Sequence, residues 1–468
     1  MLRHFESVLL SLADRGHTIR VASPGRQQDV EPPETLVGHE RISFVTCPEQ
    51  RSDEWADPIH ELRCIRDYLR YLDWPFKDAT KLRGRAVRKM AAAISGKDRA
   101  HLVARCPRCD QRLVDDEVGQ MALASGKGGL RRISQLLSLT ESTVPSDPAI
   151  EAFLQDERPD VMLVTPLINF GSYQADYVKS AKALRIPVGF PVFSWDNLSN
   201  KGLIHVMPDR VFVWNERQRT EAVLMHGAAA EQVVVTGAPR FDDFFAMSPE
   251  TTRDAFCASH GLDPRQPTVA YLCSSEFIST DEVRFVTRWI EEVRRAPELR
   301  SCNILVRPHP REQKQWKGFG SGLDRVAVSY PLALNADQTL FDTVYHSAAV
   351  VGLNTSAQLE AAIVGRPVLT ILAPPELADG QQGTVHFRYL LEEEGGFVKV
   401  AADFDEHRRQ LASVVSGAHD RERMRSFVEQ FLRPHGISRP ATPVLVEAIE
   451  ALAGQPTIEA GGVTHAGS

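Results

Sequence analysis

Within residues 349 to 372, AVVGLNTSAQLEAAIVGRPVLTIL, the chain packs two short apolar runs around one polar turn. Val350, Val351 and Leu353 form the first run; Val368, Leu369, Ile371 and Leu372 form the second. Runs that are apolar at both parities read as strands covered on both faces, which a fold supplies only inside a parallel sheet flanked by helices. Asn354, Thr355 and Ser356 place small polar side chains at the start of the intervening helix. Thr355 with Gln358 three residues on gives a capping-box pattern. A helix start exposes unpaired backbone N–H groups and a positive dipole end, which suits a phosphate. Glu360 lies over a turn further along, where its carboxylate can accept hydrogen bonds from the two hydroxyls of a ribose. Gly365 and Pro367 end the helix.

The same alternation recurs along the chain. Strands are expected at Thr18–Ala22, Ile42–Thr46, Asp160–Thr165, Pro187–Phe193, Arg210–Trp214, Val269–Cys273, Asn303–Arg307 and Val326–Val328, with helical patterns between most of them. Such alternation implies an α/β fold with two doubly wound, Rossmann-like parallel-sheet domains facing a cleft. The 468 residues are too many for one simple core. The expected division is an N-terminal, acceptor-side domain at 1–242, a C-terminal nucleotide-donor domain at 243–434, a helix at 435–454 returning to the first domain, and a disordered tail at 455–468. Residues 55–150 read as a mainly helical insertion, with 120–150 as loop or linker. The opening helix, RHFESVLLSLADRG, has no strand ahead of it. This predicts either a true start upstream of Met1 or a first domain lacking its first strand.

A hydrophobic content of 43% and a charged content of 25% are those of a globular enzyme. The net charge of -7 argues against nucleic acid as a partner. No apolar run approaches the roughly 18 residues of a membrane span, and no signal-peptide layout opens the chain, so a cytoplasmic enzyme is expected. Seven scattered cysteines fit a reducing compartment. Cys106 and Cys109 form a CxxC without the second ligand pair a zinc site needs. Residues 81–112 carry ten Lys or Arg against two Asp. That run is either a solvated helix surface or a patch for peripheral contact with an anionic membrane face or a phosphorylated acceptor.

Two further motifs fall at expected strand ends. In ILVRPHPRE, residues 304–312, two prolines fix the backbone around His309, with Arg307 and Arg311 beside it. In FSWDNLSNKG, residues 193–202, Trp195, Asp196, Asn197 and Lys201 place an aromatic wall, a carboxylate, an amide and a cation in one loop.

With Glu360, Gly365 and Pro367, these motifs resemble the GT-B glycosyltransferase superfamily, whose donor-binding segment carries an acidic residue on the ribose. They are similar also to MurG-like UDP-sugar transferases and to CDP-glycerol glycerophosphotransferases. The Arg-x-His-Pro turn resembles one in the latter family, and a His-Pro motif serves donor binding in bacterial sialyl- and polysialyltransferases. In the CDP-glycerol enzymes a Trp-His-Gly loop supplies the catalytic base, with a Lys five residues on. Here Asp196 stands at the position of that His, and Lys201 keeps the spacing.

The resemblance implies a glycosyltransferase, of inverting type, that moves a sugar from a nucleotide-diphosphate sugar to a cell-envelope or secondary-metabolite acceptor. Asp196 is the expected base, with His4, in the first turn of the opening helix, as the other candidate. Ser274, Ser275, Arg307, His309, Asn354, Thr355, Ser356 and Glu360 are the expected donor and phosphate ligands. Trp195, Asn197 and Lys201 are expected on the acceptor side. No acidic metal cluster is evident around Asp242 and Asp243, so no metal and no cofactor beyond the co-substrate is expected. A CDP-alditol phosphate transferase, a non-hydrolysing nucleotide-sugar epimerase and a non-catalytic GT-B scaffold stay open as alternatives.

Overall fold

The computed structural model describes residues 2–25, 32–76, 78–105, 126–331 and 335–454. Two compact units emerge: residues 1–77, 83–240 and 438–468 form unit 1, and residues 78–82 and 241–437 form unit 2. Both are built on parallel strands, as the alternation of elements predicts.

Unit 2 holds six parallel strands: β7 (Thr268–Leu272), β8 (Asn303–Arg307), β9 (Val326–Val328), β10 (Ala349–Val351), β11 (Val368–Ile371) and β12 (Val398–Ala401). Their order across the sheet is β9-β8-β7-β10-β11-β12. Relative to the first strand of the unit this is the 3-2-1-4-5-6 order of a doubly wound sheet, whose direction of winding reverses between β7 and β10. Every residue of β7, β8, β10 and β11 is buried. One face meets a large apolar cluster that includes Tyr271, Trp289, Val306, Val351 and Leu369; on the other, Leu305 packs against Phe256, Cys257 and Leu262. Double coverage explains why these strands read as uninterrupted apolar runs.

Unit 1 has its parallel strands in two pieces. Among the described residues β1 (Ile19–Pro24) pairs only with β2 (Ile42–Cys47), while β3 (Met162–Leu163), β4 (Val188–Pro191), β5 (Arg210–Val213) and β6 (Val233–Val235) form a sheet in that order. Strands β1 and β3 do not pair, although Ile19 and Leu163 reach the same apolar cluster of Phe5, Val8, Leu12 and Leu445. The opening helix, Glu6–Asp14, packs on the final helix, Ala441–Ala453. Ser7 Oγ and Thr442 Oγ1 lie 2.9 Å apart, and Arg15 Nη1 reaches Glu450 Oε2 at 2.6 Å.

The insertion between β2 and β3 contributes helices Ala56–Arg70, Thr80–Arg105, Gly126–Thr143 and Pro148–Glu157. The helix Gly126–Thr143 corrects the expectation of loop over 120–150. Its glycines cluster at the start, while Leu130, Ile133 and Leu137 follow at helical spacing. The basic run is not simply a solvated face: Arg85 is turned inward and donates to the carbonyl of Asn200. Residues 106–112 of that run, the pair Cys106 and Cys109, and the expected tail 455–468 lie outside the described residues. Among the described residues no helix is long and apolar enough to cross a membrane.

Candidate functional site

At the reversal point of unit 2, the carboxyl ends of β7 and β10 lie side by side, where a doubly wound sheet opens a crevice. Ser274 follows β7 and Asn354 follows β10; the Asn354 backbone N–H donates to Ser274 Oγ at 3.3 Å. The pairing brings together two residues separated by 80 positions. Asn354 Nδ2 continues to Thr384 Oγ1 at 3.4 Å. Gly352 is required here, since a Cβ at that position would meet the Leu272 carbonyl oxygen at 2.8 Å.

The turn after β10 leads into the helix Ala357–Ile363, which has 7 residues. Ala357 N donates to Thr355 Oγ1 at 3.4 Å, and Thr355 N to Gln358 Oε1 at 3.5 Å, so the Thr355 and Gln358 pattern forms only a loose version of the capping box. Ser356, the N-cap, makes no side-chain cap bond. So short a helix carries a small dipole, and phosphate recognition here falls mainly on individual N–H and hydroxyl groups. Thr355 and Ser356 are half-exposed; Glu360 is 4% exposed, on the same helix. Gly365, at φ 76°, ends the helix, with its N–H donating to Ala362 O.

A polar layer that the motifs did not reveal supports this turn. Gln381 is fully buried: its Nε2 donates to Leu353 O, Thr370 Oγ1 and Ile371 O within 3.1 Å, and its Oε1 accepts from Ala373 N. It ties the ends of β10 and β11 to the helix Pro375–Gln382, on which it sits. The sequence QQGT at 381–384 was the available signal, a polar run with Gly just after a buried strand.

Glu282 was also missed. Its carboxylate accepts from Ser274 N at 2.8 Å and from Tyr271 OH at 3.1 Å, clamping the turn after β7. Burial pushes this carboxyl up from 4.5 to about 7, against the pull of the Ser274 and Tyr271 hydrogen bonds. Between those two pH values the unfolded chain gives up a proton that the folded one keeps. Stability therefore falls as pH rises through that window, by on the order of 3 kcal/mol at most, and changes no further above it. In Glu282→Gln the side-chain oxygen still accepts from Ser274 N while the amide donates to the Tyr271 hydroxyl, and the substitution is expected to abolish this slope. Hydrogen exchange of the β7 amides at about pH 5 and about pH 8 reads it out; equal pH dependence in both proteins would refute the assignment.

The His-Pro motif divides. Arg307 is 6% exposed and its guanidinium points into the unit, with Nη2 donating to Ala336 O at 2.8 Å and Thr339 Oγ1 at 2.9 Å. It anchors the connection after β9. His309 is half-exposed at the turn; its Nδ1 accepts from Arg311 N at 3.3 Å, and burial and Arg311 lower its pKa. Ser275 is half-exposed, and its carbonyl accepts from Ile278 N and Ser279 N.

In unit 1, the loop after β4 presents Trp195, Asp196, Asn197 and Lys201. Asp196 is half-buried and accepts from Ser194 Oγ at 2.6 Å and from Asn200 Nδ2 at 2.9 Å. Trp195 and Asn197 are buried, at 5% and 0% exposure. Asn197 Oδ1 accepts from Ser194 N at 3.2 Å. The loop's carbonyls are gripped by the insertion: Arg70 donates to the Leu198, Lys201 and Gly202 oxygens, and Tyr71 OH to Lys201 O at 2.6 Å. Asp67 accepts from Leu203 N at 2.6 Å and Gly171 N at 2.7 Å. His226 completes the hold, with Nε2 2.7 Å from Leu198 O and Nδ1 accepting from Ile204 N. Every one of these bonds reads backbone rather than side chain, so the grip shapes the loop whatever its side chains do.

His4 is brought to the same strand end, with its ring 5.5 Å from that of Phe193. Arg240 Nη1 donates to His4 Nδ1 at 3.3 Å. Burial, then Arg240, lowers the His4 pKa to about 3, so the ring is neutral at ordinary pH. Asp242 is paired with Arg433 at 2.9 Å. Among the described residues no three His, Cys, Asp or Glu side chains converge as they would on a metal.

No family model matches the chain, and no curated protein matches it. Among solved structures it is similar to a putative UDP-N-acetylglucosamine 2-epimerase of Listeria monocytogenes, at 14% identity and TM-score 0.44, over 64% of this chain and 77% of that one. It is similar to the Methanocaldococcus jannaschii UDP-GlcNAc 2-epimerase in complex with UDP-GlcNAc and UDP, at 16% identity and TM-score 0.42, over 70% and 82%. A glycosyltransferase of Rickettsia africae aligns at 11% identity and TM-score 0.43, over 68% and 82%. Similarity of this depth transfers no activity to the chain.

Proposed function

We propose that the chain is a GT-B-type enzyme that binds a nucleotide-diphosphate sugar at the reversal point of unit 2 and transfers the sugar to a cell-envelope or secondary-metabolite acceptor. The observation that carries this reading is the junction of Ser274 and Asn354 at the carboxyl ends of β7 and β10. It sets hydroxyls, an amide and backbone N–H groups where a doubly wound sheet takes a phosphorylated ligand, with Glu360 on the helix that follows. In this reading Thr355, Ser356, Ser274 and Ser275 meet the diphosphate, Glu360 the ribose, and His309 adds a donor to the leaving phosphate. Asp196 is the base. His4 is the weaker candidate, because an imidazole that binds a proton only near pH 3 is a poor acceptor at neutral pH.

The test is a thermal-shift screen against UDP, CDP, GDP and dTDP. One nucleotide is expected to raise the melting temperature, by an amount corresponding to about 2.7 kcal/mol at a hundredfold excess over Kd. Glu360→Gln is expected to weaken that nucleotide by about 10- to 100-fold, from lost charge-assisted bonds worth roughly 1.5–3 kcal/mol. Pyrophosphate, which has no ribose, keeps its affinity in the variant. An equal loss for both ligands would remove Glu360 from the ribose and leave it a packing role.

A further inference from the structure

The opposite edge of the unit 2 sheet carries a cavity of about 760 Å³, within the range of small-molecule sites. Pro267 precedes β7, Ala348 precedes β10 and Arg366 precedes β11, and all three line it, together with Thr251, Arg253 and Tyr345. Because the strands are parallel, this is the amino-terminal edge, away from Ser274 and Asn354.

Its charge is unbalanced. Arg253 and Arg366 face it against one carboxylate, the exposed Glu250. Neither guanidinium has an ion pair among the described residues. Arg253 is fixed by carbonyls, donating to Pro264 O at 2.9 Å, His346 O at 2.8 Å and Gln266 O. Arg366 is held less completely: Nη2 donates to Tyr345 O at 2.5 Å, while the buried Nε has no hydrogen-bond partner. Burial lowers the Arg366 pKa; Tyr345, whose ring centre lies 5.4 Å from the guanidinium carbon, opposes it, and Arg421 and Arg253 lower it further. Two guanidinium groups lining one pocket without an ion pair are a costly arrangement that an oxyanion relieves. The walls beside it, Pro249, Pro267 and Ala348, are apolar and suit an uncharged body attached to that anion.

We propose that this pocket is a second ligand site, taking a small organic oxyanion through Arg366, independent of the nucleotide chemistry at the carboxyl edge. Calorimetry on the full chain with phenyl phosphate, benzoate and inorganic phosphate tests it. Phenyl phosphate and benzoate share one body, so their ranking tells a phosphate ester from a carboxylate. Arg366→Gln is expected to weaken the better probe at least about tenfold, and Glu250→Gln to tighten it about twofold. Asn354→Ala leaves it unchanged, which separates this pocket from anion capture at the nucleotide turn. If Arg366→Gln fails to fold, the Glu250→Gln gain decides, since a misfolded protein does not bind more tightly. Failure of all three probes to bind, or binding lost in Asn354→Ala and kept in Arg366→Gln, would overturn the proposal.

Discussion

Asp196→Asn is expected to lower turnover of the preferred nucleotide sugar by about 10²- to 10⁴-fold, the contribution of one well-placed general base, with nucleotide affinity unchanged. The substitution is isosteric, and the Ser194 hydroxyl and Asn200 amide that hold the carboxylate at 2.6 and 2.9 Å can bond an amide in the same place. The surrounding loop is fixed by Arg70, Tyr71, Asp67 and His226 through its backbone, so the change removes proton affinity and little else. Single-turnover kinetics with calorimetric nucleotide binding separates the two effects. Unchanged turnover removes Asp196 as base. Lowered turnover with equally lowered nucleotide affinity would instead mean that the loop had collapsed. His4→Ala serves as comparison: a ring already neutral and weakly basic is expected to matter less to the proton transfer.

The strands that position these groups were legible because a strand covered on both faces leaves no choice of residue. β7, β8 and β11 fall within a residue of their expected limits for that reason. β12 was missed, because Lys399 interrupts its apolar run, as suits an edge strand only partly covered. The three-dimensional neighbours of the candidate residues were less legible. Nothing local announces that Ser274 meets Asn354, or that Gln381 reaches across three strand-end groups, since each bond depends on strand order rather than on spacing. Arg307 shows a signal that sequence alone leaves ambiguous. Its place in a cationic turn suggested an anion ligand, but an arginine at the last residue of a buried strand also has its own carbonyl and hydroxyl neighbours to satisfy.

The insertion hid the most. Arg63, which lies outside the basic run at 81–112 and in none of the motifs, is 1% exposed and uses all five of its N–H donors. Nε and Nη2 donate to Glu141 at 3.2 and 2.8 Å, Nη1 and Nη2 each donate to Asp176 at 2.8 Å, and Nη1 also donates to Ser172 O at 3.1 Å. Lys179 adds a bond to Glu141 at 3.2 Å, and Arg51 one to Asp176 at 3.3 Å. The pairs span 78 and 113 positions, which no periodicity discloses.

Arg63→Met is therefore expected to destabilise unit 1 by about 3–5 kcal/mol, because it leaves two buried carboxylates facing each other without their shared cation. Burial alone would raise the Glu141 carboxyl, but Arg63 and Lys179 hold it below its ordinary value. The network's contribution is thus present above the unfolded carboxylate pKa and is lost as pH falls through the lower, folded one. In the variant that preference reverses: the carboxylates gain from protonation, and the deficit against the wild type shrinks on acidification. Hydrogen exchange of the helix Ala56–Arg70 across pH reads both the size and the direction. A loss below about 1 kcal/mol, the scale of an exposed pair, would mean that water reaches the network. A loss of the expected size that did not shrink on acidification would mean that the packing around Arg63, rather than its charge, holds the insertion to the sheet.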